Sequence, residues 1–246
     1  MMVMISPTGA RLTKADHPAL PMTLDEIVQA TVASAEIGAN ALHLHVRDAD
    51  GAHSIDAGLY REALAAIEAA LPGFPVQVTT ESAGRYTPAD QLDLLETLAP
   101  KWASISLAEV ARDPDIARRI YELCQANETE VQHIVYGKED ADLLSNWQAE
   151  GVLGDDESVI LVLGRYAEKQ LAQVSELEPL LAHLPKVGRW MLCAFGATEH
   201  ACLTRAAELG GDVRVGFENS ITREDGQVWP TVADSVAALT KRIGRD

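Results

Sequence analysis

What this chain lacks narrows its function first. It has no apolar run near the roughly 20 residues that a membrane-spanning helix needs, and its start, Met1-Met2-Val3-Met4-Ile5, is too short and uncharged for a signal peptide. Its three cysteines, Cys124, Cys193 and Cys202, are odd in number and show no CxxC spacing. A disulfide framework or a cysteine zinc site is therefore not expected. Positive charge is scarce: 20 Lys and Arg against 37 Asp and Glu, a net charge of −17. That balance argues against nucleic acid or an anionic membrane as partner, because both require a positive surface. It leaves an anionic small substrate open, since one arginine can dominate a pocket. No GxGxxG or GxxxxGK[ST] run is present, and no Pro/Gly/Ser-rich linker divides the 246 residues. The expectation is a soluble, cytoplasmic, reduced protein with a single domain over 1–246.

Against these absences stands His43-Leu44-His45-Val46-Arg47-Asp48. The stretch Ala41–Val46 reads as a buried strand with a side-chain period of two. Leu42, Leu44 and Val46 then share one face, and His43, His45 and Arg47 the other. Two imidazoles one repeat apart can reach a single divalent cation. Core histidines satisfied by carbonyls are the plainer alternative.

Short apolar runs alternate with amphipathic ones along the whole chain. Strands are expected near Val3–Ser6, Ala41–Val46, Val76–Thr80, Ala103–Leu107, Val131–Val135, Val159–Leu163, Trp190–Ala194 and Val213–Phe217. Helices are expected near Leu24–Ile37, Leu59–Leu71, Ala89–Leu98, Asp115–Ala126, Glu139–Glu150, Glu176–His183, Thr198–Leu209 and Thr231–Ile243. Thr23 and Ser175 sit where N-caps belong, with Glu26 and Glu178 three residues on. Eight strand–helix units predict a closed (β/α)₈ TIM barrel. A doubly wound open sheet is the rival fold.

A barrel places its chemistry at the C-terminal ends of its strands. The last strand repeats the alternation, with Arg214, Gly216 and Glu218 toward the axis. First and last strands meet on closure, so the second and eighth are one strand apart. Glu218 can then complete a His₂Glu set with an open position, as catalytic zinc requires. It can equally serve as partner to Arg214 or Arg47. A buried Arg214 calls for a carboxylate or an anionic ligand.

Four stretches, SPTGARLTKADHPALPMTLDEI, AEIGANALHLHVRD, VTTESAG and GGDVRVGFENS, resemble the β-keto acid cleavage enzyme family of zinc-dependent TIM barrels. The likeness runs from residue 6 to about 220, across a divergent middle. It implies that a β-keto acid and acetyl-CoA become acetoacetate and a new CoA thioester. It also implies zinc on His43, His45 and Glu218, with Arg214 aiding proton removal and Thr79 holding substrate; Ser106 and Ser104 share an inward parity. A homo-oligomer is implied too, and Trp229 is a candidate subunit contact.

Three departures bear on that implication. Where the family reads Glu-Asp, this chain has Glu218-Asn219, and an amide cannot accept a proton. Where threonines are usually followed by glycines, Thr80 is followed by Glu81-Ser82. Glu81 is therefore a candidate for the missing carboxylate, beside Asn219 in the catalytic set. The sequence also ends about one helix after the eighth strand, which with the lost glycines bears on acetyl-CoA use. Arg11 stands where relatives acting on amino-substituted keto acids carry glutamate, so a substrate with an anionic distal group is expected. Pairing of Arg11 with an acidic neighbour is the alternative. His133, on the expected fifth strand, keeps an amidohydrolase-type metal hydrolase in view. A zinc barrel that binds a keto acid without turnover is the third reading. His17 is expected to be structural, and His53, His183 and His200 to occupy surface or helix positions.

Overall fold

The computed structural model describes residues 1–164 and 171–244. In chain order it contains β1 (Val3–Ile5), α1 (Leu24–Ala35), β2 (Ala41–Leu44), β3 (Val46–Arg47), β4 (His53–Ser54), α2 (Ala57–Ala70), β5 (Val76–Thr79) and α3 (Pro88–Leu98). There follow β6 (Trp102–Ser106), α4 (Leu107–Val110), α5 (Pro114–Ala126), β7 (Glu130–Val135), α6 (Lys138–Ala149) and β8 (Ser158–Leu163). The chain closes with α7 (Leu177–His183), β9 (Arg189–Ala194), α8 (Glu199–Glu208), β10 (Asp212–Val215) and α9 (Val232–Arg242).

Eight of the strands form a closed parallel barrel in the order β1-β10-β9-β8-β7-β6-β5-β2. This is the expected TIM barrel, and the open sheet is excluded because β1 pairs with both β10 and β2. Side-chain alternation divides the core in two. Outward residues such as Leu42, Leu44, Val213, Val215 and Phe217 pack against the helices. Inward residues Met4, Ala41, Trp102, Ile160, Met191 and Cys193 fill the barrel. The three cysteines are free and buried. Among the described residues no helix is long and apolar enough to cross a membrane.

Local signals explain most boundaries. Thr23 and Glu26 form the expected capping box on α1. Ser175 does not cap α7, because a 3₁₀ turn at Val174–Glu176 precedes that helix, and Gln173 and Glu176 form its box. Glu178, the expected box partner, pairs instead with Arg205. The second strand stops at Leu44, not Val46: after His45 the chain turns away, and Val46 and Arg47 pair antiparallel with β4. The last strand stops at Val215. Gly216 has φ 148°, and a Cβ there would lie 2.4 Å from the Ser6 carbonyl oxygen. Only glycine allows the chain to turn so closely over β1.

Candidate metal centre and active site

That turn at Gly216 folds Glu218 back over the barrel mouth. Gly9, with φ 63°, makes room for it: a Cβ at Gly9 would stand 2.7 Å from Glu218 Cγ. From β2, His43 and the residue just past its end, His45, bring their Nε2 atoms within 3.2 Å of each other. Glu218 Oε2 lies 3.3 Å from His45 Nε2 and 3.7 Å from His43 Nε2. The three donor atoms fall within 4.8 Å of one another. All three side chains are buried.

Gln77, the register neighbour of His43 on β5, presents its amide oxygen 2.7 Å from His43 Nδ1. Gln77 Nε2 donates to Gln132 Oε1 at 3.0 Å, which orients the amide. A carbonyl oxygen only accepts, so the His43 hydrogen sits on Nδ1 and Nε2 offers a lone pair. Glu218 Oε1 accepts from Arg214 at 3.1 Å, while Oε2 is buried without a hydrogen-bond partner. Arg47 does not compete for it, since its guanidinium donates to the carbonyls of Gly51 and Leu12, each at 3.0 Å. Burial first, and Arg214 second, hold His43 well below the usual imidazole range. Burial pushes the Glu218 carboxyl up, but Arg214, then His45 and His43, hold it well below the usual carboxylate range. A neutral imidazole and an anionic oxygen facing one point fit a divalent cation.

The cluster lies beside a cavity of about 650 Å³ at the barrel mouth, lined by His43, Glu218, Arg214, Thr79, Ser106, Glu81, Arg11 and Tyr136 among others. The sequence matches the beta-keto acid cleavage enzyme family over residues 1–245. The chain belongs to that family. It is 24% identical over 249 residues to the 3-keto-5-aminohexanoate cleavage enzyme of Fusobacterium nucleatum, covering 97% of this chain and 90% of the relative. It is 26% identical over 261 residues to the 3-oxoadipate:acetyl-CoA acetyltransferase of Cupriavidus necator, covering 99% and 89%. Among solved structures its fold is similar to ObcA in complex with oxaloacetate, with TM-score 0.71 and 17% identity. That match covers 93% of this chain but 64% of ObcA, so the chain spans less than two thirds of that protein. The 3-dehydroquinate dehydratase of Aquifex aeolicus matches over the full length of both chains, with TM-score 0.61 and 14% identity. These two likenesses are of fold alone.

After Glu218, where the resemblance leads one to expect aspartate, the chain has Asn219. Asn219 is fully buried behind Arg214 and is not among the residues that line the cavity. Its amide donates to the Arg214 carbonyl at 3.0 Å and to Glu199 Oε1 at 3.1 Å. Glu81 does line the cavity, with Oε2 3.9 Å from His45 Nε2 and its side chain 17% exposed. Burial raises its pKa, and the negative charge of Glu218 adds to the shift. Arg11 reaches Glu81 Oε1 at 3.3 Å and is half exposed. Thr79 Oγ1 accepts from the Glu81 N–H at 3.1 Å, so it also fixes the start of that loop. Ser106 accepts from the Glu109 N–H at 3.4 Å as N-cap of the short α4. Ser104 Oγ is buried without a partner.

Several expectations change. His53 is not a surface residue: it is 2% exposed, and its Nδ1 stands 3.5 Å from His45 Nδ1. His133 points away from the barrel axis, toward Tyr121 on α5 and Glu157, so it adds nothing to a hydrolase metal set. Trp229 is covered within its own chain, stacked on His200 with ring centroids 4.8 Å apart. His17 is structural, as expected, bonding the Trp229 carbonyl at 2.8 Å and lying against Phe217. Glu199 escaped sequence reasoning altogether. Burial pushes its carboxyl up to about 8, and its Oε2 has no hydrogen-bond partner, His200 Nε2 standing 4.0 Å away. Its place at the start of α8, where acidic residues commonly serve the helix dipole, gave no distinguishing signal.

Proposed function

We propose that this chain catalyses a Claisen-type exchange between a β-keto acid and acetyl-CoA, with zinc held by His43, His45 and Glu218. The observation that carries the reading is the convergence of two imidazole nitrogens and an unpartnered carboxylate oxygen beside a cavity of about 650 Å³. Zinc bound there supplies Lewis-acid polarisation of the keto group, which acidifies the carbon between the two carbonyls. In the exchange, the bond between the keto carbon and that methylene breaks. A bond from the methylene to the acetyl carbon forms, and the CoA sulfur passes to the remaining acyl group. Acetoacetate and a new acyl-CoA result, with every atom conserved.

The chain's own residues divide the remaining work. Arg214 grips Glu218 Oε1 and borders the cavity, where its charge favours an anionic reacting centre. Asn219 has no proton-accepting group, so Glu81 takes the methylene proton. Its place in the cavity wall near His45 supports that role, and so does the upward direction of its pKa. Thr79 and Ser106 offer hydroxyls to the substrate. Arg11 meets a second carboxylate or similarly polar group at the distal end, exchanging Glu81 for the ligand.

Metal analysis by mass spectrometry, on protein purified without a His-tag column, tests the centre. Near-stoichiometric zinc, lost in His43→Ala and Glu218→Ala, is the expected result; metal-free parent protein ends the reading. A panel of keto acids with acetyl-CoA tests the substrate class. Dicarboxylic keto acids should react best, and Arg11→Ala should cut that preference about tenfold, the value of one charge-assisted contact. A panel in which cationic keto acids react best overturns it. Asn219 favours a second reading, a zinc barrel that binds a keto acid without turnover. Exchange of α-protons with solvent separates the two, because a pure binder does not exchange them.

A further inference from the structure

Metal-binding histidines present one nitrogen inward and are oriented through the other. For His43 the orienting partner is Gln77. For His45 it is an imidazole that arrives from the small hairpin of β3 and β4. His53 opens β4, paired opposite Arg47, and its ring centroid lies 5.2 Å from that of His45. Its Nε2 is 2.7 Å from the Glu81 carbonyl oxygen, which can only accept, so the hydrogen of neutral His53 sits on Nε2. Nδ1 is then an acceptor, and it stands 3.5 Å from His45 Nδ1. The backbone of this residue is held as well: the His53 carbonyl accepts from Arg85 Nη1 at 2.8 Å and from the Tyr86 hydroxyl at 3.3 Å.

We propose that His53 is a positioning residue that holds His45 as the Nδ1–H tautomer and thereby presents the His45 Nε2 lone pair to a divalent cation. The proposal rests on the metal reading given above. His53 is not itself a ligand for that cation, because it meets His45 on the ring edge opposite Nε2. The chain of bonds continues into the backbone of Glu81. One relay therefore fixes a metal ligand at one end and the loop carrying the proposed base at the other.

Zinc affinity of the full chain, measured by competition with a chromophoric chelator, tests this without reference to turnover. Two nearly isosteric variants are compared. His53→Leu removes the acceptor and should weaken zinc binding by about 10–100-fold, the usual cost of losing an outer partner. His53→Asn sets an amide oxygen where Nδ1 was and should stay within about threefold of the parent, the margin left by one retained neutral hydrogen bond. Equal affinity in the Leu variant and the parent overturns the proposal; so does equal weakening in both variants, which would make the effect one of packing. Should the Leu variant fail to fold, the long-range ¹H–¹⁵N spectrum of the zinc-loaded parent decides. Protonated Nδ1 on His45 supports the relay, and protonated Nε2 overturns it. A parent that binds no zinc fails at an earlier point, bringing down the metal reading and this relay together.

Discussion

Two clusters of imidazole and carboxylate occupy opposite faces of the same barrel wall. On the outer face, His133 has a protein partner on each ring nitrogen: Glu157 at 2.9 Å from Nε2 and the Tyr121 hydroxyl at 3.5 Å from Nδ1. On the inner face, His43 and His45 are partnered through Nδ1, while both Nε2 atoms turn toward a buried carboxylate oxygen that accepts nothing. The side-chain chemistry is the same in the two places. What differs is whether the polar inventory closes within the protein. A closed set contributes to stability; an open one, buried at this cost, calls for a ligand.

Emptying the open cluster should do the most damage. His43→Ala or Glu218→Ala should abolish zinc binding and lower turnover on the order of 10⁴-fold or more, since Lewis-acid stabilisation is worth several kcal/mol at 1.36 kcal/mol per decade. Metal analysis and kcat/KM read both effects, and retained metal in either variant would refute the ligand set. Glu81→Gln comes next. It should leave zinc in place and slow α-proton exchange by about 10²–10⁴-fold, the range for a general base; unchanged exchange removes Glu81 from the mechanism.

Glu199 lies outside the cavity lining, buried against Gly216 and Asn219, and its Oε2 lacks a hydrogen-bond partner, with His200 Nε2 4.0 Å away. With its pKa raised to about 8 against an ordinary 4.5, the folded protein holds this proton while the unfolded chain has lost it. Stability should therefore fall as pH rises from about 4.5 to about 8 and level off above. Glu199→Gln should remove this fall, with a gain over the parent on the order of a few kcal/mol at pH 8.5 in metal-stripped protein. Denaturant titrations at pH 5 and 8.5 measure it, and parallel losses in both proteins would refute the assignment. The smallest effect is expected on the outer face. His133→Leu leaves Glu157 and the Tyr121 hydroxyl without their partner and should cost about 1–3 kcal/mol of stability. Zinc content and kcat should not move; a loss of metal there would erase the distinction between the two clusters.

The barrel and the meeting of His43, His45 and Glu218 were legible because they follow from period and order. Alternation along one strand puts His43 and His45 on a common side, and barrel closure makes the ends of the chain neighbours. The outer partners were not legible, because each depends on a contact that no local pattern encodes. Gln77 matters only because its register places it opposite His43. His53 matters only because β3 leaves the barrel and returns through β4, a two-residue pairing too short to announce itself. Trp229 looked available for a partner subunit because its cover, His200, is supplied by a helix well upstream. Ser175 was a sound cap residue displaced by a 3₁₀ turn that Gln173 begins.

β1 lies between β2, which carries His43 and is followed at once by His45, and β10, after which Glu218 follows. His43, His45 and Glu218 thus straddle the seam at which the cylinder is sealed, and Glu218 is synthesised after every strand of the barrel. A nascent chain that stops short of β10 has two imidazoles and no third donor. On the proposed metal reading, zinc uptake would report on completed assembly, and bound zinc would act as a rivet across the seam. It should slow the peeling of the final strand and its helix more than any other local opening, with a stabilisation of about 2.7 kcal/mol when free zinc stands at one hundred times its dissociation constant.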